Sequence, residues 1–242
     1  MKSLKIVLIG YGKMGHVLEQ IATNRGHEVV LTIDRGQEDR FDDPSFLTAD
    51  VAIEFTAPQE AYDNCLRSLK RDLPTVSGTT GWSDRLPELK ELCEKEGKTF
   101  FWSSNFSIGV NLFLRINRKV AELMKAAPNY HLSLEETHHI HKLDAPSGTA
   151  ITLAETLLAA RHELKRWELT ETPEEHTLPI QAHREGEVPG IHTVHYTSEV
   201  DRISLTHEAF GREGFAFGAI LAAEYAAQHQ GWLTMDDLLK LD

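Results

Sequence analysis

The sequence predicts an α/β protein: a doubly wound parallel sheet, then a central α+β unit with a mixed sheet. Three observations predict it. Short apolar runs alternate with amphipathic stretches over the first hundred residues, a rhythm that builds parallel strands joined by right-handed helical crossovers. The first apolar run ends in a glycine loop, "GYGKMG", placed directly before a helical stretch. After Asn105 the rhythm changes to longer helices and to strands with alternating polarity.

Each element follows from its residues. "KIVLIG" (5–10) reads as a buried strand and "KMGHVLEQIAT" (13–23) as a helix that stops near Gly26. "EVVLTID" (28–34) and "DVAIEFT" (50–56) are the second and third strands. Pro58, favoured in a first turn, opens a helix that runs to about Lys70. "LPTVSGTTG" (73–81) is a strand passing into a Gly/Thr loop. A helix over 83–97, with Ser83 or Asp84 as its cap, leads to a fifth strand over 98–105. Beyond it, 109–127 is a long amphipathic helix, 130–139 a strand and 149–164 a helix. The polar segment 165–177 reads as an exposed loop. Segments 178–184, 190–199 and 201–209 alternate as half-buried strands do, the last two as a hairpin, and a helix over 213–229 closes the pattern.

Composition removes several classes of function. The 242 residues carry a net charge of -12, so the basic footprint of a nucleic-acid binder is absent. No apolar run reaches 18 residues, and the N-terminus lacks the pattern of a signal peptide, which predicts a cytoplasmic protein without a membrane partner. Cys65 and Cys93 lack motif spacing and read as reduced thiols.

The glycine loop is G-x-G-x-x-G between a strand and a helix, the context in which it binds a dinucleotide. Gly10 permits the tight turn, Gly12 a close approach of backbone to pyrophosphate, and Gly15 close packing of helix on sheet. Tyr11, Lys13 and Met14 complete the loop. Asp34 follows Gly15 by 19 residues, at the end of the second strand, where an acid accepts hydrogen bonds from ribose. Arg35 beside it offers a counter-charge to a 2′-phosphate, so the pair reads as permissive to both NADH and NADPH. Ligands of such sheets bind beyond the carboxyl ends of the strands. "FTAP" with Phe55 and Thr56, "SGTTG" with Gly78, Thr79 and Thr80, and "SSNFS" with Ser103, Ser104, Asn105 and Phe106 all fall there.

"EETHHIHKLDAPSGTA" (135–150) packs three histidines, a lysine and an aspartate ahead of a helix start. Three readings compete. A metal site would need the histidines to converge, yet in a strand only His139 and His141 share a face. The histidines could instead pack a domain or subunit interface. The third reading is a proton-transfer and anion-binding site: His138 titrates near neutrality, Lys142 supplies positive charge, and Ser147 caps a helix whose amides at Gly148 and Thr149 face an anion. Beside a hydride-carrying unit, this fits reduction of a small dicarboxylate. A dinucleotide-binding regulator without chemistry leaves the histidine run unexplained, and a histidine-metal hydrolase remains the other rival.

The same stretch resembles the signature of dihydrodipicolinate reductases, Glu-x-x-His-His-x-x-Lys-x-Asp-x-Pro-Ser-Gly-Thr-Ala. "GKMG", "FT.P", "SGTTG", "NFSIGVN", "REG..PG.H" (184–192) and "GR..F..GA" (211–219) extend the resemblance over nearly the whole chain. It implies a Rossmann-type cofactor domain from 1–107 and 212–242, and a substrate-binding and tetramerisation domain over 108–211. It implies NADH or NADPH as cofactor, a homotetramer, and reduction of 4-hydroxy-tetrahydrodipicolinate or dihydrodipicolinate in the diaminopimelate route to lysine. His138 would donate and accept the proton and Lys142 would donate one. His139, Lys142, Gly148 and Thr149 would hold substrate carboxylates, and Arg212 would join the cofactor site. Ile140 stands where the family frequently has Arg, and the chain is shorter than many members over 36–50.

Overall fold

The structure, a computed structural model, describes residues 2–240. In chain order the elements are β1 (Lys5–Ile9), α1 (Lys13–Asn24), β2 (Glu28–Ile33), α2 (Pro44–Leu47), β3 (Val51–Glu54), α3 (Pro58–Leu69), β4 (Thr75–Ser77), α4 (Leu86–Glu96), β5 (Thr99–Trp102), α5 (Ile108–Leu123), β6 (His131–His138), α6 (Gly148–Ala160), β7 (Arg166–Leu169), β8 (Thr177–Arg184), β9 (Gly190–Thr197), β10 (Arg202–Ala209), α7 (Glu213–Ala226), β11 (Gly231–Leu233) and α8 (Met235–Leu239). The chain divides into two compact units, one of residues up to Ile108 with those from Arg212 on, the other Gly109–Gly211.

The first unit is built on a six-stranded sheet in the order β11-β5-β4-β3-β1-β2, and every pair is parallel. β3 and β4 are buried along their whole length, as strands covered on both faces must be. On one face Ile6, Leu8, Ile53 and Phe101 pack against Leu18 and Ala22 of α1 and Ala219, Ile220 and Ala223 of α7. On the other, Ala61, Cys65 and Leu69 of α3 meet Leu89 and Cys93 of α4 over Phe100. Each fully buried Leu, Ile or Phe contributes about 1.5–3 kcal/mol. α7 is apolar nearly all round, so it is a core helix, although the chain reaches it only after the second unit. Gly218 makes its approach feasible, because a Cβ there would stand 1.8 Å from the carbonyl oxygen of Phe106.

All strands being parallel, their carboxyl ends share one edge of the sheet. The strand order reverses between β1 and β3, which is where such sheets bind ligands.

The second unit holds a five-stranded sheet in the order β10-β9-β6-β8-β7. The β10/β9 and β9/β6 pairs are antiparallel, the β6/β8 and β8/β7 pairs parallel. Leu132, Leu134, Ile180, Val194 and Tyr196 point to one face, where Leu153, Ala154 and Leu157 of α6 cover them. The opposite face presents Glu135, His183, Ser204 and Thr206 to solvent.

Three expectations are corrected. The supposed loop 165–177 contains β7, an edge strand pairing Arg166–Leu169 with Thr177–Ile180; as three of its four residues are exposed, it has no alternation to reveal it. Neither Ser83 nor Asp84 caps α4, which grows out of a 3-10 turn over Ser83–Arg85 with no side-chain cap. The chain does not close on the helix over 213–229: β11 and α8 follow, of three and five residues, too short to display a period.

Candidate active site

In the first unit the glycine loop lies at the end of β1. Gly10 has φ +92°, and a Cβ on it would stand 2.1 Å from the Phe55 carbonyl oxygen at the end of β3. Its amide donates to Ile33 O at 2.7 Å, so this turn is pinned between the two neighbouring strands. Gly15 fits under the loop, where a Cβ would meet Gly10 O at 2.6 Å. Gly12, the N-cap of α1, is different: no atom lies within 4 Å of an added Cβ. That open space at a helix N-terminus suits a pyrophosphate. Lys13 is exposed beside it, whereas Tyr11 and Met14 pack on the core beneath.

The other predicted cofactor residues line the same edge. Gly78 leaves no room for a Cβ, which would stand 2.2 Å from the Phe55 ring. Thr80 and Ser104 are exposed, while Ser103 and Phe106 are buried. Ser103 Oγ donates to Asn105 O at 2.8 Å, and Asn105 Oδ1 accepts from Ser107 N at 2.9 Å, which closes that loop on itself. Asp34 and Arg35 border a cavity with Thr56. Arg212 is exposed at the N-cap of α7.

Sequence reasoning missed the group that binds these loops together. Glu54, fully buried at the end of β3, accepts from Thr56 N at 2.9 Å, Ser77 Oγ at 2.5 Å and Thr79 Oγ1 at 2.8 Å, and also from the Thr56 hydroxyl. Burial raises its pKa, against the pull of those hydrogen bonds. An acid inside an apolar strand was the available signal, since a buried carboxylate must find donors.

The second unit gathers the histidine-rich segment. His138 ends β6 with its ring turned inward and buried. Its Nδ1 lies 3.4 Å from Oε2 of Glu136 and has no hydrogen-bond partner among the described residues. Its Nε2 faces Gly190, where a Cβ would stand 3.1 Å away. Glu136 is fully buried and accepts the Ser147 amide at 3.0 and 3.2 Å. His192 Nε2 lies 3.6 Å from the same carboxylate and 3.1 Å from Ser147 Oγ. Burial alone would raise the pKa of Glu136, but His192, Ser147 and the charge of His138 outweigh it and hold the carboxyl at about 2. Burial takes His138 down to about 4; Glu136 opposes that shift, and His192, Lys142 and Arg184 reinforce it. His138 is therefore a neutral imidazole near pH 7.

Lys142 is bonded to both oxygens of Asp144 at 2.8 and 2.9 Å. Arg184 ties this loop to the end of β8, donating to Asp144 O at 2.6 Å and Lys142 O at 3.3 Å. Ser147 caps α6, its Oγ accepting from Ala150 N at 3.2 Å. Gly148 and Thr149 form the first turn, and a Cβ on Gly148 would meet nothing within 4 Å. His139 lies beside His141, with 6.0 Å between ring centroids. The histidine run does not converge on one point. Among the described residues, the set whose ligand atoms all lie within 4.8 Å of one another is Glu136, His138 and His192, drawn from two strands. Such a set could hold a transition metal, though Ser147 already bonds two of its members. Arg184, Gly190 and His192 belong to the "REG..PG.H" stretch, whose spacing alone gave them no task.

Residues 4–106 match the family model described as dihydrodipicolinate reductase, N-terminus, and residues 109–239 that described as dihydrodipicolinate reductase, C-terminus. A 4-hydroxy-tetrahydrodipicolinate reductase of Christiangramia forsetii is 46% identical over 236 residues, 98% of each chain. One from Archaeoglobus fulgidus is 35% identical, over 95% of this chain and 96% of its own. Among solved structures, dipicolinate-bound dihydrodipicolinate reductase from Paenisporosarcina sp. TG-14 superposes with a TM-score of 0.74 at 21% identity, over 96% of this chain and 98% of the other, which shows a shared fold. With both units matched and relatives aligned end to end, the chain belongs to the dihydrodipicolinate reductase family.

Proposed function

We propose that the chain reduces 4-hydroxy-tetrahydrodipicolinate, or the dihydrodipicolinate formed by loss of water from it, to tetrahydrodipicolinate in the diaminopimelate route to lysine, and that His138 and Lys142 manage the proton. NADH or NADPH, when bound, supplies the hydride. The first unit holds the dinucleotide: Gly12 and the start of α1 take the pyrophosphate, Asp34 the ribose, and the loops at Phe55–Thr56, Gly78–Thr80 and Ser103–Phe106 the nicotinamide end. The second unit holds the dicarboxylate with His139, Lys142 and the first turn of α6 at Gly148 and Thr149.

The observation that carries the reading is the buried contact between His138 and Glu136 next to the loop that carries Lys142. A neutral imidazole can accept a proton and pass it on, and the nearby carboxylate stabilises the cation formed in passing. Lys142 supplies the proton that completes reduction, and its charge offsets negative charge developing on the ring. The relatives' names and the dipicolinate of the Paenisporosarcina structure support a small heterocyclic dicarboxylate as substrate.

No helix among the described residues is long and apolar enough to cross a membrane. Cys65 and Cys93 are buried free thiols, in keeping with a reducing cytoplasm. The exposed face and edge strands of the second sheet support assembly as a homotetramer.

The test is steady-state kinetics on folded variants. His138→Gln lowers kcat by about 10²–10⁴-fold and leaves dinucleotide binding intact. Lys142→Ala lowers kcat and raises KM for the dicarboxylate. A folded His138→Gln enzyme with near wild-type kcat defeats the assignment.

A further inference from the structure

The cofactor reading leaves open which dinucleotide the chain selects. NADH and NADPH differ at one place, the 2′-phosphate, which carries close to two negative charges at pH 7. In the first unit, a cavity of about 130 Å³ beyond β2 and β3 is bordered by Asp34, Arg35, Glu38, Glu60, Asp63 and Arg67. Carboxylates outnumber guanidiniums there, four to two.

Neither guanidinium faces the cavity uncommitted. Arg35 Nε lies 3.1 Å from Oε1 of Glu60, which belongs to the first turn of α3. Arg67 stacks on the buried ring of Phe41, 5.6 Å from its centroid. A third arginine close in sequence, Arg40, is turned to the Thr32 carbonyl at 2.5 Å. The cavity thus has one residue suited to a 2′-phosphate, Arg35, and that residue is already paired.

We infer that Glu60 sets cofactor preference: it holds Arg35 and, with Asp34, opposes a 2′-phosphate, so that the chain takes NADH over NADPH. The inference rests on the dinucleotide site described above. The strength of the Arg35–Glu60 pair is not what matters, because the Arg35 side chain is 86% exposed and exposed pairs are weak. What matters is that Arg35 can turn to a phosphate only by leaving behind an unpaired carboxylate that repels the same phosphate. A ribose diol meets no such opposition and can donate hydrogen bonds to Asp34.

The experiment titrates the full chain with NADH and with NADPH, following nucleotide fluorescence, at low and high salt. Wild type binds NADH the more tightly, and salt narrows the gap by screening the repulsion. Glu60→Gln shifts the affinity ratio toward NADPH by about tenfold, the effect of removing one charge near the phosphate. Glu60→Lys shifts it further. Adding Arg35→Ala to Glu60→Gln removes the gain, since Arg35 is then the group that meets the phosphate. Melting temperatures confirm that each variant is folded. Equal affinities in wild type, a wild-type preference for NADPH, or a ratio unmoved by both Glu60 variants overturns the inference. Failure of wild type to bind either nucleotide overturns instead the dinucleotide site on which it rests.

Discussion

Glu136 and His138 stand two residues apart on β6, on the same buried face, with Oε2 of one 3.4 Å from Nδ1 of the other. The carboxylate is held from below by the Ser147 amide, so it cannot follow a displaced ring. Glu136→Gln keeps the shape and an acceptor for Ser147 but removes the charge. We expect kcat to fall by about 10–100-fold with dinucleotide affinity unchanged. Because Glu136 is the group that raises the pKa of His138, the acid limb of the kcat/KM profile should move to lower pH. A slower enzyme with an unmoved profile would mean that Glu136 only braces the fold.

The same pair dictates how the second unit responds to acid. His138 is lowered from its ordinary value to about 4, and Glu136 to about 2. In both cases the unfolded chain binds protons that the folded chain refuses. Stability is therefore full above about pH 6.5 and lost as pH falls, first through the His138 window down to about 4, then through that of Glu136. The His138 share amounts to roughly 3 kcal/mol. Urea titrations between pH 7 and 4 should show wild type losing more stability than His138→Gln.

Glu54 behaves in the opposite sense. Burial raises its pKa, so acid eases it and its cost is felt as pH rises through the raised value. The donors around it need a partner all the same. Glu54→Ala strands the hydroxyls of Ser77 and Thr79, while the Thr56 amide keeps Thr79 Oγ1, and should cost about 2–4 kcal/mol with weaker dinucleotide binding. Glu54→Gln keeps an acceptor and sheds the buried charge, so it should lose less than half of that. Denaturant midpoints of the two variants decide the matter.

Assembly can be read directly by sedimentation. The second unit exposes Ile203 and Val200 near the edge strand β10, and Leu112, Ile116 and Leu123 along one side of α5. At micromolar concentration we expect a tetramer, and Ile203→Lys should shift it toward smaller species. A fully active monomer would refute the expectation.

The alternation of apolar runs and amphipathic stretches was enough to place β1 to β5 with α1, α3 and α4, because a strand covered on both faces must be apolar throughout. The glycine loop was legible for a similar reason: Gly10 and Gly15 are demanded by contacts within a few ångströms of the backbone, and the spacing of glycines records them. The short elements α2, β7, β11 and α8 were not legible, since three to five residues carry no period, and the pairing of β7 and β11 is decided by strands far away in the chain.

The residues of the site divide along the same line. The order of the sequence determined that His138, Lys142 and a capped helix start lie together, because they lie within a dozen residues. Only the tertiary structure decided what surrounds them. His192 reaches Glu136 because β9 pairs with β6 in a register that sets Glu136 opposite His192. Arg184 reaches the Lys142 loop because β8 lies on the other side of β6. Glu54 meets Ser77 and Thr79 because β3 and β4 are neighbours in the sheet. Local patterns are written in the chain by steric and hydrophobic demands that act within a turn or a strand. A buried charge finds its partners across strands, and their order and register follow from burial of the whole sheet.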